Sequence, residues 1–157
     1  MSLAVNVEVE GLKELVRDIK KAGGDAEPLV RAALANSTEH TKQNIREGAP
    51  HAFGTLQRSV LAEVNYPVGE VSVQEKYGID VEEGTRPHQP PAESIERWIK
   101  KKGIPSSALW PIIMTIKKRG TKAQPFFRPG WEKSQDYITD QFDRVTDKLI
   151  RVLTRGV

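Results

Sequence analysis

The amino-acid sequence predicts an α+β fold: a small antiparallel β-sheet packed against two long helices, with two short helices inserted before the C-terminal helix. Short segments that alternate apolar and polar residues predict the strands, because successive strand side chains point to opposite faces. Two much longer segments with apolar residues at helical spacing predict the long helices. At 157 residues the chain has the length of about one domain, so we expect residues 1–157 to form a single unit.

The N-terminal part of the chain predicts one strand and two helices. Residues 4–9 alternate between apolar and polar side chains, and the strand they predict ends at Gly11. Residues 12–22 place leucine, valine and isoleucine at helical spacing. Residues 25–48 predict the first long helix, with Asp25 as its N-cap and a narrow stripe of small side chains that lets another element approach closely.

The middle of the chain predicts a β-hairpin. Residues 57–66 and 70–76 alternate in the manner of strands, and Pro67-Val68-Gly69 between them predicts the turn. Residues 77–85, with the sequence YGIDVEEGT, follow the hairpin, and Gly84 ends the element that they form.

Three helices are predicted in the C-terminal half. Residues 92–103 and 106–119 predict short helices whose last turns are basic. The final helix, from Pro129 to about Leu153, carries a heptad pattern. A helix of that length exceeds the width of a small core, so we expect it to extend beyond one subunit's own domain. The heptad positions are Trp131, Gln135, Ile138, Phe142, Val145, Leu149 and Val152.

Composition argues against several classes of protein. The chain has 24 lysine and arginine residues against 21 acidic ones, far from the concentrated basic surface of a dedicated nucleic-acid binder. It contains no cysteine, which excludes disulfides, thiolate zinc sites and thiol nucleophiles. No apolar run is long enough to span a membrane and no signal-peptide pattern is present. We therefore expect no membrane partner and a soluble protein that stays in the cytoplasm where it is made.

No catalytic or cofactor motif stands out in the sequence. The three histidines are not spaced as metal ligands, and no glycine-rich loop matches a nucleotide-binding pattern. We therefore expect no metal, no cofactor and no enzymatic activity. A hydrolytic site that combines His51 or His88 with Glu82 is kept as an alternative.

Charged residues are expected to serve structure or binding. Glu82 and Glu83 diverge if their segment is extended, so we expect one of them to pair with a basic residue such as Arg58 or Arg128. Basic clusters in the last turns of three predicted helices complement the helix dipoles, and their use in a nucleic-acid-binding module is the alternative function. These clusters are Lys20-Lys21, Lys100-Lys101-Lys102 and Lys117-Lys118-Arg119.

The segment Pro125-Phe126-Phe127-Arg128-Pro129 predicts a contact site. Adjacent side chains of a regular strand point to opposite faces, so one phenylalanine is expected to pack inward and the other to contact a partner. With Trp131, the segment has the aromatic and arginine composition of interface anchors. Packing of all three aromatic side chains in the chain's own core is the other interpretation. A Gly-Thr pair precedes the segment at Gly120-Thr121, and another lies upstream at Gly84-Thr85.

The order of these motifs is similar to that of a known family. A-P-x-x-x-G-T-L-x-x-S-V, an alternating hairpin, Y-x-x-x-V-E-x-G-T and P-F-F-R-P resemble the minor tail or tail-completion (neck) proteins of long-tailed double-stranded DNA bacteriophages and prophages. The resemblance covers most of residues 10–150, and residues 86–119 form a helical insertion between motifs that family members join more directly. The motif residues are Ala49, Pro50, Gly54, Thr55, Leu56, Ser59, Val60, Tyr77, Val81, Glu82, Gly84, Thr85 and 125–129.

The resemblance implies a virion structural or assembly protein without catalytic residues, which acts at the head–tail junction or in the tail as a ring or adaptor subunit. The implied partners are other phage structural proteins and further copies of the chain, with DNA only as the molecule that passes through a ring. The implied location is the virion, after assembly in the host cytoplasm. The expected interface residues are Arg58, Glu82, Gly84, Thr85, Arg86, Phe126, Phe127, Arg128 and Trp131.

Overall fold

The computed structural model describes residues 3–21, 25–51 and 54–155, and it confirms the predicted α+β class. Within these residues, seven α-helices accompany one three-stranded antiparallel sheet. In chain order the elements are β1 (Leu3–Val7), α1 (Leu12–Lys21), α2 (Glu27–Gly48), α3 (Thr55–Arg58), β2 (Val60–Asn65), β3 (Val68–Val73), α4 (Gly78–Glu83), α5 (Ala92–Lys102), α6 (Leu109–Arg119) and α7 (Phe127–Arg155).

The sheet has the strand order β1-β3-β2, so the first strand of the chain pairs with the second strand of the hairpin. Val71 in the central strand lies opposite Val5 on one side and Ala62 on the other. Alternate residues of β3 are buried on the face that packs against α2, and the residues between them are more exposed. The alternating pattern in the sequence therefore predicted both the strands and the face that they bury.

The predicted hairpin turn at Pro67-Val68-Gly69 is wrong, because the turn consists of Tyr66 and Pro67 and β3 starts at the next residue. Gly69 is needed inside the strand instead. A Cβ atom at this position would lie 2.0 Å from the hydroxyl oxygen of Thr38 on α2. A glycine close to a proline indicates a turn, but here the missing side chain allows a helix to approach the sheet.

The start of the strand predicted over residues 57–66 also differs, because one turn of helix, α3, comes first and β2 begins at Val60. Gly54 adopts a left-handed φ of 65°, and its carbonyl oxygen accepts the N–H of Arg58 at 3.0 Å. This turn buries Leu56 in the core below the sheet. A few alternating residues do not distinguish such a turn from a strand, since both periods fit so short a segment.

The long helix predicted over residues 25–48 is confirmed as α2. The predicted N-cap at Asp25 is one residue early, because Ala26 occupies the N-cap position; the carboxylate of Asp25 still accepts the N–H of Glu27 at 3.2 Å. The small-residue stripe of α2 is buried. The hydroxyls of Thr38 and Thr41 donate to carbonyl oxygens one turn earlier, at 2.7 and 2.8 Å, so their burial leaves no unmade hydrogen bond.

The close approach that the small-residue stripe predicted is made by α7. Gly130 of α7 lies so near the backbone of Ile45 that a Cβ atom at Gly130 would be 2.6 Å from the Cα atom of Ile45. In the same crossing, the amide nitrogen of Asn44 donates to the hydroxyl of Ser134 at 2.9 Å, and that hydroxyl donates to the carbonyl of Gly130 at 2.8 Å. Small side chains and one buried polar network thus join the two long helices.

The heptad residues of α7 serve mainly the chain's own core. The helix has 29 residues, about 43 Å at 1.5 Å per residue. Val145 and Leu149 are buried in a cluster with residues of α1 and α2, and Phe142 packs against it. The expectation that this helix extends beyond one subunit's own domain concerns contact with another chain and stays a prediction. Of the other heptad positions, Trp131 and Ile138 are half-buried, Gln135 is exposed, and the side chain of Val152 lies outside the described residues.

The two short helices predicted before the final helix are confirmed as α5 and α6. They pack against each other, and their fully buried side chains are Ile99 and Ile113. Both last turns are basic, as the sequence indicated. In the part of the chain that the structure describes, no helix is both long enough and apolar enough to cross a membrane.

Gly130→Ala is expected to lower the free energy of unfolding by about 1–3 kcal/mol, although alanine is the better helix former by about 1 kcal/mol. The added Cβ would meet the backbone of Ile45, so α7 and α2 would have to separate. Urea unfolding measures the change. Thr139→Ala, on an exposed position of the same helix, is the control. A Gly130→Ala variant as stable as the parent protein would contradict this close approach.

Candidate functional site

The start of α7 is held by the carboxylate of Glu82, a buried residue of α4. One carboxylate oxygen accepts the N–H groups of Phe126 and Phe127 at 2.6 and 2.8 Å, and the other accepts the N–H of Arg128 at 3.0 Å. The next residue is Pro129, which has no N–H. Glu82 therefore satisfies the free donors of the first turn, and its negative charge lies at the positive end of the helix dipole.

The predicted pairing of Glu82 or Glu83 with a basic residue of this subunit or the next, such as Arg58 or Arg128, is not found among the contacts of Glu82, and for Glu83 it stays a prediction. The carboxylate is bound by backbone N–H groups, and Arg128 contributes its main chain while its side chain stays exposed. Phe126 occupies the position where many helices carry a serine or aspartate, and its side chain cannot accept a hydrogen bond. The cap is consequently supplied by a residue 44 positions earlier in the chain, a distance over which sequence spacing has no predictive value.

Both phenylalanines of the P-F-F-R-P segment are buried, which corrects the expectation that one of them faces a partner. The exposed fraction is 1% for Phe126 and 8% for Phe127. They share a cluster with Ile45, Leu56 and Val71, beneath the sheet. The prediction assumed a strand, in which neighbours diverge, whereas Phe127 is the first residue of a helix. For these two residues the core interpretation is therefore the correct one.

The two Gly-Thr loops meet in space. The N–H of Thr85 donates to the carbonyl oxygen of Thr121 at 3.1 Å, and the N–H of Thr121 donates to the hydroxyl of Thr85 at 3.0 Å. Gly84 and Gly120 have φ angles of 75° and 74°, and a Cβ atom at Gly120 would lie 1.8 Å from the carbonyl oxygen of Thr85. The contact joins the two ends of residues 86–119, the segment predicted to be an insertion.

The remaining predicted interface residues occupy different environments. Arg58, Arg86 and Arg128 have exposed side chains. Gly84 and Thr85 are half-buried in the contact between the Gly-Thr loops, and Trp131 is half-buried at the start of α7. The structure thus brings Glu82 to Phe126, Phe127 and Arg128 at the start of α7, and places Gly84 and Thr85 at the loop contact with Thr121.

A groove that sequence reasoning missed separates the α5–α6 pair from α3 and α4. Its volume is about 880 Å³. Of the apolar residues of α6, only Ile113 is fully buried. The sequence feature that could have indicated the groove is that apolar residues lie on more than one side of α6. The groove is lined by Pro50, Thr55, Leu56, Glu75, Tyr77, Asp80, Val81, Thr85, His88, Pro90, Ser94, Ile95, Arg97, Trp98, Ile112, Ile116, Thr121, Lys122 and Gln124.

Tyr77 lines this groove, and the pKa of its phenol is raised. Burial raises the pKa of its phenol above the ordinary value of 10.0, and the charge of Glu75 raises it further. A hydrogen bond with Thr55 and the charge of Arg58 act in the opposite direction without cancelling the rise in pKa. The phenol is therefore a neutral hydrogen-bonding group in the groove at physiological pH.

The histidines considered for hydrolysis are not brought together with Glu82. His51 lines a separate cleft with Gln43, Arg46 and Gln57, whereas His88 lines the groove. The Nδ1 atom of His88 lies 2.9 Å from the carbonyl oxygen of Arg86, and both oxygens of Glu82 are engaged by the start of α7.

Comparisons with known proteins gave no match: no protein-family model, no curated protein and no solved structure is significantly similar to this chain. The interpretation of the site therefore depends on its geometry and on the motifs of the sequence.

Glu82→Gln is expected to lower the free energy of unfolding by about 2–3 kcal/mol. An amide oxygen can replace one carboxylate oxygen, but the NH₂ group would face an N–H donor, and the charge at the helix N-terminus would be lost. Thermal or urea unfolding measures this, with Glu83→Gln as the matched control because the neighbouring Glu83 is exposed. Equal stability of the two variants would contradict the capping role.

Tyr77 is expected to titrate at higher pH than an exposed tyrosine. Its pKa is higher in the folded than in the unfolded state, so its contribution to stability is present below about pH 10 and is lost as the pH rises through the folded-state pKa. Tyrosinate absorbance of the parent protein minus that of Tyr77→Phe isolates its titration. A midpoint at or below 10.0 would show that the groove does not desolvate the phenol.

Proposed function

We propose that the chain is a non-enzymatic structural or assembly protein of a long-tailed bacteriophage or prophage, which acts at the head–tail junction or in the tail as a ring or adaptor subunit. One observation carries the proposal: the motifs that resemble the tail-completion family form a single structural unit. Glu82 of the second motif caps the helix that the third motif starts, and Leu56 of the first motif packs with Phe126.

This convergence supports the proposal because the motifs are far apart in the chain and individually weak. The residues that define these motifs are the ones that hold the sheet, α4 and α7 together. Gly84 and Thr85 extend the same unit to the loop at Thr121. A common fold, rather than a common catalytic site, is thus what the shared motifs would preserve.

The proposed contact surface is corrected by the burial of Glu82 and both phenylalanines. The accessible arginines are Arg128 at the start of α7 and Arg86 beside the contact between the Gly-Thr loops, and Trp131, three residues after Arg128 on α7, is half-buried. Arginine and tryptophan are the residue types that most often carry binding energy at interfaces. In the proposal, these residues contact other tail, neck or connector subunits, and the protein resides in the virion after assembly in the host cytoplasm.

The nucleic-acid-binding alternative receives less support from the arrangement of the lysines. The N–H of His88, just before α5, donates to the carbonyl of Ile116 near the end of α6, so the two helices run in opposite directions. The clusters at residues 100–102 and 117–119 therefore lie at opposite ends of the helix pair. A binding site for a phosphate backbone requires a continuous basic surface, so we do not propose this function.

Deletion of the gene in a strain that carries it is expected to leave DNA-filled heads and separate tails after induction, because the junction subunit would be missing. Negative-stain electron microscopy and plaque counts of the lysate measure the defect. Complementation with the parent gene should restore joined particles, whereas Arg128→Glu should restore fewer. Arg144→Glu, at an exposed position further along α7, is the control. Normal numbers of infectious particles after deletion would contradict the proposal.

A further inference from the structure

Helix α6 carries apolar side chains on two opposite faces. Ile112 and Ile116 line the groove, while Trp110 and Met114 are exposed, with exposed fractions of 66% and 44%. At 100° per residue, Trp110 and Met114 each lie about 200° around the helix from the isoleucine two positions later. Because this second face is not covered by any of the described parts of the chain, it is a candidate for contact with another molecule.

The groove on the other side of α6 has the properties needed to receive such a face. Its volume of about 880 Å³ lies within the range of roughly 300–1,000 Å³ that accommodates a sizeable ligand, so it has room for a tryptophan and a methionine side chain. Much of its wall is apolar, and Trp98 offers a ring surface for aromatic or sulfur contacts. The apolar lining residues are Leu56, Val81, Ile95, Trp98, Ile112 and Ile116.

The charges at the two surfaces are also complementary. Lys117 and Lys118 follow Met114 by three and four residues, so they lie on the same side of α6 as the exposed pair. They are exposed and form no ion pair with any residue that the structure describes. The groove presents the carboxylates of Glu75 and Asp80 beside α4.

The positive charges of the groove restrict how an incoming helix can lie. Arg97 and Lys122 also line it, with Arg97 on α5. Lys122 adjoins Gly84 at the end of α4, whereas Glu75 and Asp80 lie before and early in that helix, so a basic helix end is expected near Glu75 and Asp80. The charge pattern therefore favours one orientation of the incoming segment, and that segment must combine apolar side chains with lysines.

We propose that the Trp110–Met114 face of one copy of the chain occupies the groove of a second copy, with Lys117 and Lys118 next to Glu75 and Asp80. The face and the groove lie on opposite sides of one helix, so a copy cannot fill its own groove. Each copy that binds presents a new exposed face, which makes the contact head-to-tail and leads to a closed ring or an open filament.

This inference deepens the proposed function, since it rests on the association of copies and names the surfaces that associate. It also gives residues 86–119 a role: the segment supplies the Trp110–Met114 face and one wall of the groove, and the loop contact between Thr85 and Thr121 joins its two ends. Tryptophan in a desolvated pocket is a frequent anchor of binding energy, so Trp110 is expected to carry most of the association.

Self-association of the purified chain tests the proposal. Sedimentation velocity across protein concentration should show oligomers of the parent protein, and Trp110→Ala should raise the dissociation constant by about tenfold or more. Leu15→Ala, which removes an exposed apolar side chain from α1, is the matched control. Because both positions are exposed, circular dichroism and thermal unfolding should stay close to those of the parent. A monomeric parent protein, or equal association of the two variants, would overturn the inference.

Disulfide trapping identifies the surfaces directly, since the chain contains no cysteine of its own. Mixing Met114→Cys with Ser94→Cys, a position in the groove wall, should give a mixed disulfide dimer. Met114→Cys mixed with Thr139→Cys, on the exposed side of α7, should not. Equal cross-linking of both mixtures would overturn the proposed contact.

The two proposals can fail separately. Association through another surface would contradict this inference but not the proposed phage function. Trapping of the Met114–Ser94 pair, together with normal particles after gene deletion, would keep the contact and remove the phage function.

Discussion

The carboxylate of Glu82 at the start of α7 is the interaction on which much of the remaining structure depends. It sets where α7 begins, because its two oxygens engage the free N–H groups of Phe126, Phe127 and Arg128. With the helix starting there, both phenylalanines enter the core beneath the sheet. The chain just before the helix is held against α4 as well, since the N–H of Gln124 donates to the carbonyl of Val81 at 2.8 Å. One buried charge thus aligns a helix, a loop and a hydrophobic cluster.

The second constraint is the closeness of the two long helices. Gly130 leaves no space for a side chain against Ile45, and the Asn44–Ser134 hydrogen bond lies in the same crossing. Further along, α7 packs on α1 and α2 through larger side chains such as Val145 and Leu149. The close approach at Gly130 near the start of α7, together with the packing of larger side chains near its end, fixes the position of α7 on the domain. That path determines which side chains near its start, Arg128 among them, stay accessible.

The helix pair of residues 92–119 gives the molecule a different kind of surface. The segment that carries it is joined at its two ends by the Gly-Thr contact, and most residues of the pair are exposed. Partial burial beside the groove raises the pKa of Tyr77, and the opposite face of α6 leaves Trp110 in solvent. A segment with a groove on one side and an exposed apolar face on the other offers surfaces for contact with another molecule. These surfaces are the physical basis of the proposal that the molecule takes part in an assembly.

The sequence by itself determined the α+β class, both long helices, the two short ones and the buried face of the sheet, because periodic burial leaves a periodic pattern in the chain. It also indicated that small residues of α2 would allow a close approach. Only the tertiary structure decided that Gly69 lies in a strand, that Phe127 is buried and that Glu82 caps a helix. Each of these depends on a neighbour distant in sequence, namely Thr38, the sheet and the start of α7. Local patterns record which residues are buried, whereas partners across the fold determine what those residues contact.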